Sequence, residues 1–167
     1  MKADWRPGAS QHLLLERGAL LQQIRSFFAE REVLEVTTPV MLSTTAVEPH
    51  LQSFSLESAT RYLQTSPEFA MKRLLAADSG PIYQLCPCFR REEAGDRHNP
   101  EFTMLEWYQP GYSLAQLMEE VAELVAESLG IDEFGQCSYR HLFEEYLGFN
   151  PHTAATAELE ATARERL

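Results

Sequence analysis

The sequence of 167 residues contains no stretch of about 18 consecutive apolar residues, the length a helix needs to cross a bilayer, so no membrane partner is expected. Its first ten residues, MKADWRPGAS, lack the apolar centre of a secretory signal. Cysteine is scarce. Cys86, Cys88 and Cys137 are too few for a disulfide framework, and they read as reduced thiols of a cytoplasmic protein. Internal repeats and low-complexity tracts are missing. Basic residues almost vanish from one region: residues 98–163 hold Arg140 alone against 12 acidic residues, whereas residues 1–97 hold 11 basic and 12 acidic. The resulting net charge of −11 argues against a broad grip on nucleic acid, because acidic surface repels a phosphate backbone. It leaves room for a local basic site or a basic protein partner. The plainest reading of the acid excess is a solvated helical face. What is present is ordinary for a globular chain, 44% apolar and 23% charged, with enough length for one domain and a real core.

Residues 1–11 are polar with Pro7 and Gly8 and read as a loose arm. Leu20, Leu21, Ile24, Phe27 and Phe28 recur at helical spacing within residues 13–31. Residues 33–38 are rich in β-branched residues and stop at Pro39, which predicts a strand. Residues 50–57 alternate and predict a second strand, with His50 as a turn residue. A short strand at 62–64 leads into Thr65-Ser66-Pro67-Glu68, where Ser66 can cap a helix running to about Ala77. Residues 82–91 and 101–109 predict two strands joined by a polar loop at 94–100. Ser113 with Gln116 forms a capping-box pattern before a helix that Gly130 ends. Shorter helices are expected at about 139–147 and from Ala154 onward. The fold class is therefore α+β, an antiparallel sheet flanked by helices.

The chemistry concentrates between Phe89 and Tyr108. Period-two alternation puts Arg90 and Glu92 on one face of the first strand, and Phe102, Met104, Glu106 and Tyr108 on one face of the second. Antiparallel pairing can bring both sets to the same side. A cation, two carboxylates, a phenol and an aromatic plane are expensive to bury unless paired. Together they suit a ligand with a phosphate, a flat base and an amine. Taken singly, each residue has a structural reading: Arg90 as an ion pair with Glu92 or Glu106, Phe102 and Tyr108 as core aromatics. Taken as a set in register, the ligand reading leads. Cys86 and Cys88 fall on the same face and read as small buried residues, with no metal site in the chain.

These residues resemble motif 2 of class II aminoacyl-tRNA synthetases, in the lysine branch. The match runs through Phe89-Arg90-x-Glu92, then Arg97-His98-Asn99-Pro100-Glu101-Phe102-Thr103-Met104 and Glu106-x-Tyr108. Gln84-Leu85-Cys86, Met104-Leu105-Glu106-Trp107-Tyr108 and Thr65-Ser66-Pro67-Glu68 are most similar to the tRNA-independent branch, the elongation factor P–(R)-β-lysine ligases. Lysyl-tRNA synthetases commonly have Ala in place of Ser66. The unit ending at Pro39 resembles motif 1, the usual dimer interface. The resemblance covers about residues 12–151, with motif 1 at about 20–40 and motif 2 at about 82–109.

The resemblance implies a role for each matching residue. Arg90 would be the catalytic arginine on the α-phosphate of ATP. Glu92 would accept from the adenine amino group, and Phe102 would stack on the base. His98 and Asn99 would lie near the nucleotide. Arg91 stands where the family usually has Asn and would face the triphosphate tail. Ser66, Pro67 and Glu68 would form the amino-acid-binding turn, and Glu106 and Tyr108 would receive the amino groups of (R)-β-lysine or lysine. For Glu68 a helix N-terminal acid is an equal reading; for Ser66 a plain helix cap can coexist with a ligand contact. The implied reaction is ATP-dependent adenylation, assisted by Mg²⁺, then transfer to a lysine of elongation factor P, with no tRNA. A homodimer through motif 1 is implied as well.

The same resemblance leads us to expect residues 12–167 to be the N-terminal part of a catalytic domain. No anticodon-binding domain is expected ahead of it, and the Gly-rich motif 3 is expected to lie beyond it. Little adenylation is expected of such a piece alone. Two further readings stand beside this one: a truncated lysyl-tRNA synthetase catalytic domain, and a non-catalytic dimerisation or binding module of the same fold.

Overall fold

The computed structural model describes residues 5–56, 60–91 and 93–166. The chain divides into two compact units, Met1–Ile131 and Asp132–Leu167.

In the first unit, helix α1 spans Gln11–Glu30 and starts at Ser10, whose hydroxyl accepts from the Leu13 amide at 3.3 Å. It ends where Glu32 takes a left-handed φ of 55°, and the Val33 amide closes back on the Phe28 carbonyl. Strands follow at Leu34–Glu35 (β1), Met41–Leu42 (β2) and Tyr62–Leu63 (β3), then helix α2 at Glu68–Ala76. The long strands are Ile82–Phe89 (β4) and Glu101–Tyr108 (β5). Helix α3, Leu114–Leu129, opens on a complete Ser113–Gln116 capping box and ends at Gly130 with φ 67°.

The main sheet has the order β1-β4-β5. Strands β4 and β5 pair antiparallel from Ile82↔Tyr108 to Phe89↔Glu101, and β1 joins β4 in parallel. Strands β2 and β3 form a separate antiparallel pair. The β4–β5 register sorts the residues onto two faces. Tyr83, Leu85, Leu105 and Trp107 turn to one side and pack with Phe27, Phe28, Val33 and Leu124 of the helical layer. The Phe28 ring stacks on Tyr83 with centroids 4.4 Å apart and meets Trp107 at 5.6 Å. Each such buried aromatic contributes about 1.5–3 kcal/mol of transfer free energy. Glu120 of α3 is buried here and accepts from Trp107 Nε1 at 2.8 Å and Gln109 Nε2 at 2.6 Å. The opposite face carries Gln84, Cys86, Cys88, Phe102, Met104, Glu106 and Tyr108.

In the second unit, helix α4 (Tyr139–Leu147) is capped by Ser138 and ended by Gly148 with φ 81°, and α5 spans Thr156–Arg166. Tyr139 packs on Phe143 at 4.6 Å, and Phe143 on Phe149 at 5.7 Å.

The architecture is the expected α+β arrangement, with the predicted hairpin, helices and Ser113 capping box in place. Three local expectations need correction. The strand predicted at 33–38 pairs over Leu34–Glu35 only, because the chain then leaves the sheet towards Pro39. Residues 50–56 form no strand and contribute one isolated bridge, Ser55↔Tyr62; residue 57, also predicted there, lies outside the described residues. Strand β2 was not signalled, since two residues carry no periodicity.

Candidate functional site

The polar face of the β4–β5 hairpin is roofed by the turn before α2 and by the segment after β2. The Phe89 amide donates to the Gln64 carbonyl at 2.9 Å, which holds that turn against the strand end, and the Gln64 amide donates to the Val40 carbonyl at 2.9 Å, which ties it to the start of β2. A cavity of about 200 Å³ results, bounded by Ser66, Glu68, Arg90, Met104 and Glu106, with Glu48 and Ser53 on the far wall. It is smaller than the ~300–1,000 Å³ of pockets for drug-sized ligands, a volume suited to an amino-acid-sized one.

Glu106 is the most elaborately held group. Ser66 Oγ donates to its Oε2 at 2.6 Å, and Tyr108 OH donates to its Oε1 at 2.7 Å. Two donors leave other lone pairs of the carboxylate free to accept from an ammonium. Burial first, then the bond to Glu106, push the Tyr108 phenol well above its ordinary pKa, so it stays a donor. Ser66 also accepts from the Glu68 amide at 3.1 Å. The α2 cap position itself is Pro67, fully buried, and Ser66 sits one residue earlier than an N-cap. The Ser66 hydroxyl thus ties the helix start to Glu106. Glu68 is the first residue of α2 and pairs with Lys72 one turn on; the hydrogen bond and then the charge of Glu68 raise the Lys72 pKa.

Arg90 lines the same cavity. Its Nε donates to the Thr65 carbonyl at 3.3 Å, and its Nη1 reaches both oxygens of Glu93 at 3.3 and 3.4 Å. Its guanidinium carbon lies 5.2 Å from the Phe102 ring centroid, a cation–π distance. Beyond it, Arg90, Glu93 and His98 border a second, open hollow of about 510 Å³. Of the other predicted residues, Arg91 is exposed and its amide donates to the Gln52 carbonyl at 2.9 Å. His98 and Asn99 are exposed on the loop, with His98 bridged to Gly95. Glu92 lies outside the described residues. Among the described residues, no group of three or more His, Cys, Asp or Glu side chains is placed to hold a metal ion.

The hairpin alternation therefore brings Arg90, Phe102, Glu106 and Tyr108 to one side. The structural alternative for Arg90 was an ion pair with Glu92 or Glu106; among the described residues its ion-pair partner is Glu93, three residues on. It also missed Glu48, Ser53 and Lys72. Only Lys72 left a signal, its i, i+4 spacing from Glu68; the far wall comes from a segment with no periodic pattern.

A family model described as tRNA synthetases class II (D, K and N) matches residues 2–147. Among curated proteins, the chain is 48% identical to an elongation factor P–(R)-β-lysine ligase of Pseudoalteromonas translucida, over 97% of this chain and 52% of the relative. It is 46% identical to the enzyme of the same name from Pasteurella multocida, over 97% of this chain and 53% of the relative. The Photorhabdus laumondii protein of that name is 48% identical over 96% and 52%. The chain spans about half the length of the curated relatives it matches.

Proposed function

Because the chain belongs to the family of class II tRNA synthetases (D, K and N), we propose that it contributes the ATP- and amine-binding face of an adenylate-forming ligase acting on (R)-β-lysine or lysine. The observation that carries this reading is the shared cavity. A held carboxylate, Glu106, and the guanidinium of Arg90, which lies beside Phe102, line the same cavity.

In this reading the substrate ammonium docks on Glu106, whose position Ser66 and Tyr108 fix, with Glu68 as a further acceptor. Pro67 shapes the turn. The substrate carboxylate attacks the α-phosphorus of ATP, and pyrophosphate leaves. Arg90 forks onto the α-phosphate and stabilises the charge that grows there. Phe102 stacks on the base, and Glu92 accepts from the adenine amine. His98, Asn99 and Arg91 meet the nucleotide from the loop side. To do this Arg90 exchanges Glu93 for phosphate, which turns the observed ion pair into a resting contact. An amine then attacks the activated carbonyl, and AMP leaves. The relatives' printed name supports elongation factor P as the source of that amine; no tRNA enters this reading, and the resemblance to motif 1 supports a homodimer. Any Mg²⁺ would come with the nucleotide phosphates; no step is routed through it. In this reading residues 12–167 serve as part of the catalytic domain.

The test is exchange of pyrophosphate into ATP with (R)-β-lysine or lysine, on this chain and on a longer reading frame containing it. Exchange in the longer frame that prefers (R)-β-lysine is expected. Preference for lysine with tRNA charging, or silence from both proteins, would overturn the reading.

A further inference from the structure

Three sulfur atoms meet on the site face, and the proposed adenylation uses none of them. Cys86 and Cys88 alternate onto that face of β4, and β5 sets Met104 opposite Cys86 and Phe102 opposite Cys88. Cys86 Sγ lies 3.9 Å from Cys88 Sγ, and Cys88 Sγ lies 3.9 Å from Met104 Sδ. Both thiols are free and buried, Cys88 completely. We propose that Cys86, Cys88 and Met104 form a binding site for one soft monovalent metal ion, of which copper(I) is the biological example.

Three observations support the site. The first is spacing. An ion bonded to sulfur at about 2.3 Å in a trigonal plane separates its ligands by about 4.0 Å, and two of the three pairwise separations, those made by Cys88, are 3.9 Å. The second is ligand type. Two thiols and a thioether are the donors that select copper(I) over harder ions. The third is rigidity. The donors sit on a paired hairpin, and Gln64, itself buried, donates from Nε2 to Cys86 Sγ at 3.4 Å and to the Pro87 carbonyl at 2.8 Å. Met104 also borders the cavity, which gives an ion a way in.

A disulfide is the competing use of the pair. Residues i and i+2 of a strand have Cα atoms about 6.6–6.8 Å apart, at the outer limit for a disulfide, whose usual range is about 4.4–6.8 Å. The sulfurs would also have to close from 3.9 Å to about 2.0 Å across Pro87. A bridging ion needs no such movement. Its binding releases the two thiol protons to solvent and leaves its oxidation state unchanged. The resulting single negative charge lies next along the face to Arg90.

The experiment is a titration of the reduced chain, carrying Cys137→Ser, with copper(I) held by a coloured chelator, and in parallel with silver(I). One equivalent should transfer from the chelator, with a new sulfur-to-metal absorption band in the near ultraviolet. Cys86→Ser and Cys88→Ser should each lower the affinity at least 100-fold. Met104→Leu, which keeps the volume and the fold, should lower it about tenfold. Unchanged affinity in folded Cys88→Ser or Met104→Leu, or uptake that tracks Cys137 alone, would overturn the site. So would formation of a Cys86–Cys88 disulfide in place of metal uptake.

Discussion

Ser66 donates its hydroxyl proton to Glu106 at 2.6 Å, across the gap between the α2 turn and strand β5. The bond links two segments 40 residues apart, and it fixes one carboxylate oxygen while Tyr108 fixes the other. Ser66→Ala should therefore loosen Glu106 without emptying the site. A hydrogen bond to a charged group is worth about 1.5–3 kcal/mol, so amine affinity should fall by about one order of magnitude while the fold persists. Titration calorimetry with (R)-β-lysine and lysine on the active form reads this. Unchanged affinity for both would remove Ser66 from the account.

Glu120 makes a second prediction, on stability. It accepts from Trp107 Nε1 and Gln109 Nε2 from a buried position. Glu120→Gln has one accepting oxygen and must turn its amide donor towards the other donor. A loss of about 1–3 kcal/mol is expected in urea unfolding. An unchanged midpoint would show that the pair is dispensable.

Alkaline pH supplies a third. Burial first, then the hydrogen bond to Glu35, raise the Tyr83 phenol to about 12. A folded-state pKa above the unfolded value of about 10 gives stability that is complete below pH 10 and lost as pH rises towards 12. Tyr108 shifts in the same direction. Urea midpoints should fall across this window, and Tyr83→Phe should flatten the fall. Parallel curves for the two proteins would contradict the assignment.

Phe28 carries the layer that supports the site from behind. It is fully buried between Tyr83 and Trp107. Phe28→Ala should cost about 3–5 kcal/mol in thermal or urea unfolding. A loss below 1 kcal/mol would show that the stacked aromatics are not the core.

Much of this was legible in the sequence because it is written in short-range patterns. Alternation along 82–89 and 101–108 gave both faces of the hairpin, and Ser113 with Gln116 gave the start of α3. Gly130 marked the end of that helix. The far wall of the cavity was not legible. Glu48 and Ser53 arrive on an irregular segment whose path is set by packing and by single backbone bonds such as Leu63 N to Phe54 O. Alternation also misled at 50–57, where the pattern exists but no strand lies beside it to pair over more than one bridge. The Arg90–Glu93 pair escaped because the strand ends at Phe89, and period-two reasoning stops with it.

The central claim is that Arg90 and Phe102 bind the two ends of one nucleotide. The direct measurement is an ATP titration of this chain followed by magnetic resonance of the Arg90 Nε–H and the Phe102 ring protons, with Tyr139 as reference. Both signals should shift together and saturate at one equivalent, Arg90→Ala should abolish the Arg90-dependent binding, and Tyr139 should stay still. Arg90 and Phe102 signals that remain in place at saturating ATP, or that move no more than Tyr139, would contradict the account.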